Sequence, residues 1–368
     1  MANYLLKRLL LMVPTLLGIM LISFIIVQFV PGGPVERMIA ELQGHSVDAT
    51  ARFGGSSGGA DMAVGATAQS TGQNSQYRGS QGLDPEFIKE LEAMYGFDKP
   101  AHERFFQMVV NYAKFDLGQS YYRDVSVIDL VLEKMPVSIS LGLWSTLIIY
   151  LISIPLGIKK AVKDGQKFDI WTSAAVFTGY AIPSFMFAIL LIVLFAGGRY
   201  FDLFPLRGLT SEGFDDMTMI QQVLDYLWHM VLPVAAMVIS GFAGLTMLTK
   251  NSFLDEINKQ YVLTARAKGL EEGQVLYGHI FRNAMLIVIA GFPSAFLAIF
   301  FTGSLLIEVI FSLDGLGLLG YESVINRDYP VVLGTLYIFA LMGLITTLIR
   351  DVVYVTVDPR IDFEARTV

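Results

Sequence analysis

The sequence predicts an all-α membrane protein: six transmembrane helices, with a small helical segment on the outer side after the first. Three observations carry this. Of 368 residues, 54% are hydrophobic and only 16% charged, with mean hydropathy +0.56, whereas soluble domains carry about 25% charged residues. Six runs are long and apolar enough to cross about 30 Å of hydrocarbon. Lysine and arginine, finally, are distributed unevenly between the two sides.

The runs are Leu9 to Val30, Val137 to Ile158, Ile170 to Ala196, Trp228 to Leu248, Met285 to Phe311 and Val331 to Ile349. The first follows Lys7 and Arg8 but is longer than the apolar stretch of a signal peptide. Pro31-Gly32-Gly33-Pro34 after it is no cleavage site, so it reads as a retained helix. Leaving out the long first loop, 14 basic residues lie on the side of the N-terminus and three, Arg199, Arg207 and Arg327, on the other. Both termini are therefore expected in the cytoplasm. The outer segments then balance at −10 and the inner ones at +4. An acidic outer face either attracts cationic solutes over a Debye length of about 8 Å or simply keeps the loops soluble.

The chain divides into residues 1–30 (N-terminus and first helix), 31–136 (outer loop), 137–356 (five-helix core) and 357–368 (tail). Within the outer loop, 29 of the 40 residues from Gln43 to Gly82 are Gly, Ser, Ala, Gln or Thr. Such a segment buries too little to offset its ordering entropy, and disorder is expected over 43–82. Asp84 before Pro85 reads as a helix N-cap and Gly96 as that helix's stop, with Phe87, Leu91 and Met94 on one face. A second helix begins near Pro100, where Phe105, Met108, Val109 and Tyr112 recur at helical spacing. These stripes suit packing first and binding second.

Catalytic patterns are missing. The chain has no cysteine, no His-Glu-x-x-His and no Gly-rich phosphate loop ending in Gly-Lys-Ser/Thr. Its four histidines are scattered. His229 and Ser240, the pair a serine hydrolase would need, sit 11 residues apart on one helix, about 16 Å along its axis. Glu308 is the carboxylate buried in the fifth run. An ionisable group there faces protein or water, so it either lines a pathway or caps and pairs near the outer interface.

The inner loop from Thr249 to Ala284 is patterned. Tyr261 to Leu270 reads as a short helix with Arg266 and Lys268 in its last turn and Gly269 as its stop. Glu271 and Glu272 suit the start of a second helix ending near Arg282-Asn283. The pair is either a protein-docking knob or a hairpin resting on headgroups.

Here the sequence resembles a family. Thr264-Ala265-Arg266-Ala267-Lys268-Gly269-Leu270, with His279 and Arg282-Asn283-Ala284, is similar to the EAA loop of ATP-binding-cassette (ABC) importer permeases of the dipeptide and oligopeptide branch. Further matches follow in order: Arg8-Leu9-Leu10, Pro14 to Gly18, Pro31 to Pro34, Tyr95 to Pro100, Asp116 to Ser120, Glu308 to Phe311, Gly315-Leu316-Gly317 and Asp358-Pro359-Arg360. Within the branch, Pro31 to Glu36 and Asp358 to Glu364 look most like the YejB-type permeases of peptides and the antibiotic microcin C. Three departures stand out. The Gly/Ser-rich insert is not part of the family pattern, Asp314 replaces the usual proline before Gly-Leu-Gly, and Met285 to Ile287 lacks the proline common after the loop.

The resemblance implies a type I ABC importer permease fold that imports peptides, microcin C-like or cationic ones among them, from periplasm to cytoplasm by alternating access in a bacterial inner membrane. Implied partners are a second, YejE-like permease, ABC ATPase subunits or a fused YejF-like double ATPase, a periplasmic YejA-like binding protein, the peptide and the lipid bilayer, with no nucleic acid. ATP and Mg would be bound by the ATPase, with no cofactor in this chain. Tyr261, Thr264, Ala265, Arg266, Ala267, Lys268, Gly269 and Leu270 would form the coupling helix, with Glu308 and Asp314 at the pathway or outer gate. A secondary transporter or channel acting alone is the rival reading, and it would favour internal repeats and several mid-membrane charges.

Overall fold

The computed structural model describes residues 2–29, 99–198, 200–301 and 305–357. The insert at 43–82, the helix expected after Asp84 and the motifs at Pro31 to Glu36, Tyr95 to Asp98 and Asp358 to Glu364 lie outside them, as does the tail. The described residues are helical apart from turns and one isolated bridge, Gln119 to Ser126. The elements are α1 (Ala2–Phe29), α2 (Ala101–Ala113), α3 (Val127–Val162), α4 (Lys167–Ala181), α5 (Ser184–Phe195), α6 (Met219–Ile257), α7 (Gln260–Ala267), α8 (Glu272–Val275), α9 (Phe281–Phe301), α10 (Leu305–Ile310), α11 (Leu316–Asn326) and α12 (Tyr329–Val357).

Among the described residues five helical stretches are long and apolar enough to cross a membrane, and α4 with α5 makes a sixth if counted as one span. That third span was expected as one helix from Ile170 to Ala196. Instead α4 and α5 meet at 93°, because Pro183 has no amide to donate and Ile182 before it is held extended at φ −84°, ψ 120°. The fifth run is helical over Phe281–Phe301 and Leu305–Ile310, with residues 302–304 outside the described ones, and Glu308 sits in α10. The helix expected to stop near Arg282-Asn283 continues. A π-helical turn, Leu276–Ile280, joins α8 to α9 without a break.

The chain divides into two compact units. One comprises Met1–Leu9, Lys134–Leu318 and Met342–Val368; the other comprises Leu10–Glu133 and Leu319–Leu341. In the first, α6 is the helix against which α4, α5 and α9 pack. Glycine permits the closest crossings. A Cβ on Gly157 of α3 would stand 2.6 Å from the Thr249 Cβ and 2.8 Å from the Thr246 carbonyl of α6, and one on Gly241 would run into Ile149. Backbones in a membrane approach through small residues because dispersion, with no hydrophobic effect to help, needs short distances. Around these crossings, Leu141, Ala188, Leu191, Ala236, Val238, Ile307 and Phe311 form one buried cluster. The Trp144 indole donates to the Tyr226 hydroxyl at 3.0 Å. Asp351 of α12, buried, accepts from Tyr4 at 2.9 Å and pairs with Arg8.

In the second unit the α2 stripe packs inward. Phe105 meets Phe24 of α1 with centroids 5.4 Å apart, and Tyr112 meets Tyr337 of α12 at 5.1 Å. Asp328, buried just before α12, accepts from the Ser120 hydroxyl and from the Tyr121 amide at 3.1 Å. This pins the Asp116 to Ser120 motif, whose Gly118 turns at φ +82°.

Gly157→Ala is expected to cost about 1–3 kcal/mol through overpacking, and Gly244→Ala, where a Cβ meets nothing within 4 Å, to cost nothing. Thermal unfolding midpoints of the purified variants check the contrast.

Candidate functional site

The patterned inner loop forms a knob. Helix α7 follows Lys259 and ends at Lys268, after which Gly269 turns at φ +82°, a backbone region that glycine occupies without strain. The Gly269 amide donates to the Arg266 carbonyl at 2.9 Å and the Lys268 amide to the Thr264 carbonyl at 3.1 Å, closing the helix. Helix α8 then opens with a reciprocal cap between Glu271 and Gln274. Arg266 reaches across the turn to Glu272 with two 3.0 Å contacts, Nη2 to Oε2 and Nε to Oε1. That clamp between α7 and α8 was not foreseen from the sequence, although the six-residue spacing around a glycine was its signal.

The knob has an inner and an outer face. Val262 and Ala265 turn inward into one buried cluster with Phe253, Val275, Ile280, Ala284 and Met285, to which Ile158 and Ala161 at the end of α3 also belong. Tyr261, half-buried, donates to Glu256 at 2.6 Å. Burial raises its hydroxyl pKa above the usual tyrosine range, which keeps it a donor. Leu263, Thr264, Arg266, Ala267, Lys268, Gly269 and Leu270 are all exposed. Leu263 leaves 58% of its surface uncovered. Of the eight residues expected to act together, Ala265 is buried, Tyr261 half-buried and the other six exposed, with Lys268, Gly269 and Leu270 in the turn that follows α7.

Beneath the knob lies a charge network that counting charges by loop had passed over. Lys160 has no exposed surface. Its ammonium meets the Asp169 carboxylate at 2.9 Å and donates to the Asp169 carbonyl (3.0 Å), the Thr172 hydroxyl (3.1 Å) and the Ser173 hydroxyl (2.6 Å). Lys250 of α6 pairs with Asp169 and Asp164, each at 2.7 Å. Two cations and two carboxylates therefore tie α3, α4 and α6 at one level, and Ile158 and Ala161, flanking Lys160 on α3, belong to the knob's buried cluster.

The second cluster surrounds Glu308. Its side chain is wholly buried and Oε2 accepts the Leu318 amide at 2.7 Å. The carboxylate stands at the start of α11, where the helix dipole favours negative charge. A Cβ on Gly315 would lie 2.6 to 2.8 Å from the Glu308 carboxyl group, so the turn closes over it only with glycine there. The Ser138 hydroxyl accepts the Leu316 amide at 2.9 Å, and Asp314 pairs with Lys134 of α3 at 2.5 Å. Sequence reading named Glu308 and Asp314 but not Lys134 or Ser138. His229 has no contact with Ser240 among the described residues; its Nδ1 lies 2.8 Å from the Asp225 carbonyl. Among the described residues no group of three or more His, Cys, Asp or Glu could hold a metal.

The described residues are those of a helical membrane protein, and its relatives are membrane subunits of transport systems. Residues 153–363 match the model of the binding-protein-dependent transport system inner membrane component, and the chain belongs to that family. It is 61% identical to the peptidoglycan transport system permease protein YejB of Agrobacterium fabrum, over the whole of both chains. It is 60% identical to the inner membrane ABC transporter permease protein YejB of Escherichia coli O157:H7, again over both full lengths. To the oligopeptide transport system permease protein AppB of Bacillus subtilis it is 31% identical, over 99% of this chain and all of that one.

Asp169→Asn leaves Lys160 buried without its charge partner and is expected to cost roughly 3 kcal/mol; the Lys160→Met/Asp169→Asn double variant recovers part of the loss. Unfolding midpoints of the two variants read this. Gly315→Ala should lower the midpoint as well, by an amount corresponding to about 1–3 kcal/mol, because the new methyl displaces Glu308.

Proposed function

We propose that this chain is one membrane half of an ATP-driven peptide importer and that the knob from Tyr261 to Leu270 is where an ATPase subunit drives it. The observation that carries the reading is the pairing of an exposed, glycine-stopped helix with a buried base. Leu263, Arg266, Lys268 and Leu270 face outward, while Val262 and Ala265 share a buried cluster with Ile158 and Ala161 at the end of α3, which Lys160 locks to α4 and α6 through Asp169 and Lys250. A push on the knob would move three spans together. Such a rigid link suits alternating access, in which closure of an ATPase pair shifts the spans between inward-facing and outward-facing states.

In this reading both termini and the knob are cytoplasmic, as the lysine and arginine distribution favours. A second permease of the same family completes the path, and a binding protein delivers cargo on the outer side. ATP and Mg belong to the ATPase. Glu308 and Asp314 act at the outer gate by holding the α10–α11 turn, Glu308 through the Leu318 amide and Asp314 through Lys134. The cargo is peptide, in keeping with the oligopeptide and peptidoglycan systems for which the relatives are named. The −10 balance of the outer segments favours cationic peptides, and the likeness to YejB permeases adds microcin C-like peptides as candidates.

The complex that co-purifies with the tagged chain should contain an ATPase, identified by mass spectrometry. In it, Gly269→Pro, which cannot adopt φ +82°, and Arg266→Glu, which repels Glu272, should each reduce substrate-stimulated ATP hydrolysis at least about tenfold while membrane insertion is retained. Normal stimulation in both variants overturns the coupling assignment. Cargo charge is read separately, by competition between cationic and anionic peptides for uptake at low salt, where cationic ones should win. Equal competition removes the steering argument and leaves the coupling argument standing.

A further inference from the structure

The turn between α3 and α4 carries a dense run of charge. Four lysines lie between residues 159 and 167, and two carboxylates, Asp164 and Asp169, lie in the same stretch or beside it. Both carboxylates are engaged by buried cations. Asp169 holds Lys160 and Lys250, and Asp164 holds Lys250 from the other side. Lys159, Lys163 and Lys167 are exposed and make no salt bridge among the described residues. Among the described residues, three positive charges within nine residues are thus left without an ion-pair partner.

They are also gathered. The Lys159 ammonium stands 4.9 Å from the centre of the Phe168 ring and the Lys163 ammonium 5.7 Å from it, so one aromatic ring draws both side chains together. Lys167 opens α4 itself, whose N-cap Gln166 makes no side-chain capping bond. The positive end of the helix dipole adds to the same field. Left alone, like charges so arranged repel one another, and an anion would relieve that.

What flanks the cluster is apolar and open. Trp171 is 74% exposed, Ile170 59% and Val162 52%. Trp171 stands in the first turns of a candidate membrane-spanning segment, the level at which tryptophan sits among headgroups. Lysine stems can lie along such a surface while their ammonium groups reach the polar layer. A soluble anion would have no use for the exposed indole and aliphatic groups, whereas a phospholipid has both a phosphate and chains.

We infer that the α3–α4 turn is a binding site for anionic phospholipid, with Lys159, Lys163 and Lys167 holding the headgroup phosphate of the leaflet this turn meets and Trp171 resting beside it. The site is separate from the knob. Its occupant would screen the repulsion directly above the Lys160–Asp169–Lys250 network and so steady the level at which three spans are tied.

The test uses the complex purified with the tagged chain in mild detergent, with dibrominated phosphatidylglycerol or dibrominated phosphatidylcholine as the quenching lipid. Trp171 emission is taken as the difference between the wild type and Trp171→Phe. At low salt, half-quenching should need at least about fivefold less phosphatidylglycerol than phosphatidylcholine, the weight of roughly one lysine near an anionic surface. That ratio should fall toward one in Lys159→Gln/Lys163→Gln/Lys167→Gln, persist when the same lysines become arginine, and shrink in about 0.5 M salt. A ratio of one in the wild type overturns the site without any appeal to variants, so a glutamine variant that fails to assemble does not shelter it. An unchanged ratio in an assembled glutamine variant overturns it too. Should that variant keep its lipid ratio but lose co-purifying proteins, the lysines serve an acidic protein surface and the lipid assignment is wrong.

Discussion

The ion network of Lys160, Asp169 and Lys250 is the interaction on which the arrangement of the first unit depends. A charge buried beside hydrocarbon is costly unless it is paired and its hydrogen bonds are filled. Lys160 meets that demand with one carboxylate, one carbonyl and two hydroxyls, all from α4. Lys250 then brings α6 to the same carboxylate. Each partner needs the others in place, so the ends of three helices have one permitted arrangement. The neighbouring side chains Ile158 and Ala161 inherit that rigidity and offer the knob a firm base.

The Glu308 cluster answers the same physical problem differently. The buried carboxylate is met by the backbone of the α11 start, with Gly315 leaving room for it and Ser138 taking the neighbouring amide. One cluster anchors helices through side-chain charges and the other anchors a turn through main-chain amides. Both convert a cost of burial into specificity of position, and neither leaves a helix end to find its own place.

Much of this was legible beforehand. Run length and charge bias were enough for the number and type of candidate spans, since the bilayer imposes length and polarity on any helix that crosses it. The α2 stripe of Phe105, Met108 and Tyr112 was readable because helical spacing puts those residues on one face whatever the partner is. The knob was readable through its glycine stop and terminal basic residues, which are local. The bend at Ile182-Pro183 was less so: a proline in a membrane helix is often accommodated, and Pro14, Pro155 and Pro233 all lie inside continuous helices here. Whether a proline breaks its helix depends on what packs around it.

The sequence by itself determined a helical membrane protein, its apolar segments and the short glycine-stopped helix of the knob, because these follow from composition, period and local backbone preference along one stretch of chain. Only the tertiary structure decided which charges are buried. Lys160 and Lys159 are adjacent and chemically identical, yet one is sealed against Asp169 and the other hangs over Phe168 in the open. The difference is the direction each side chain takes from α3 and the helix it meets there, and no linear pattern contains that. The same holds for Lys134 and Asp314, 180 residues apart and joined at 2.5 Å.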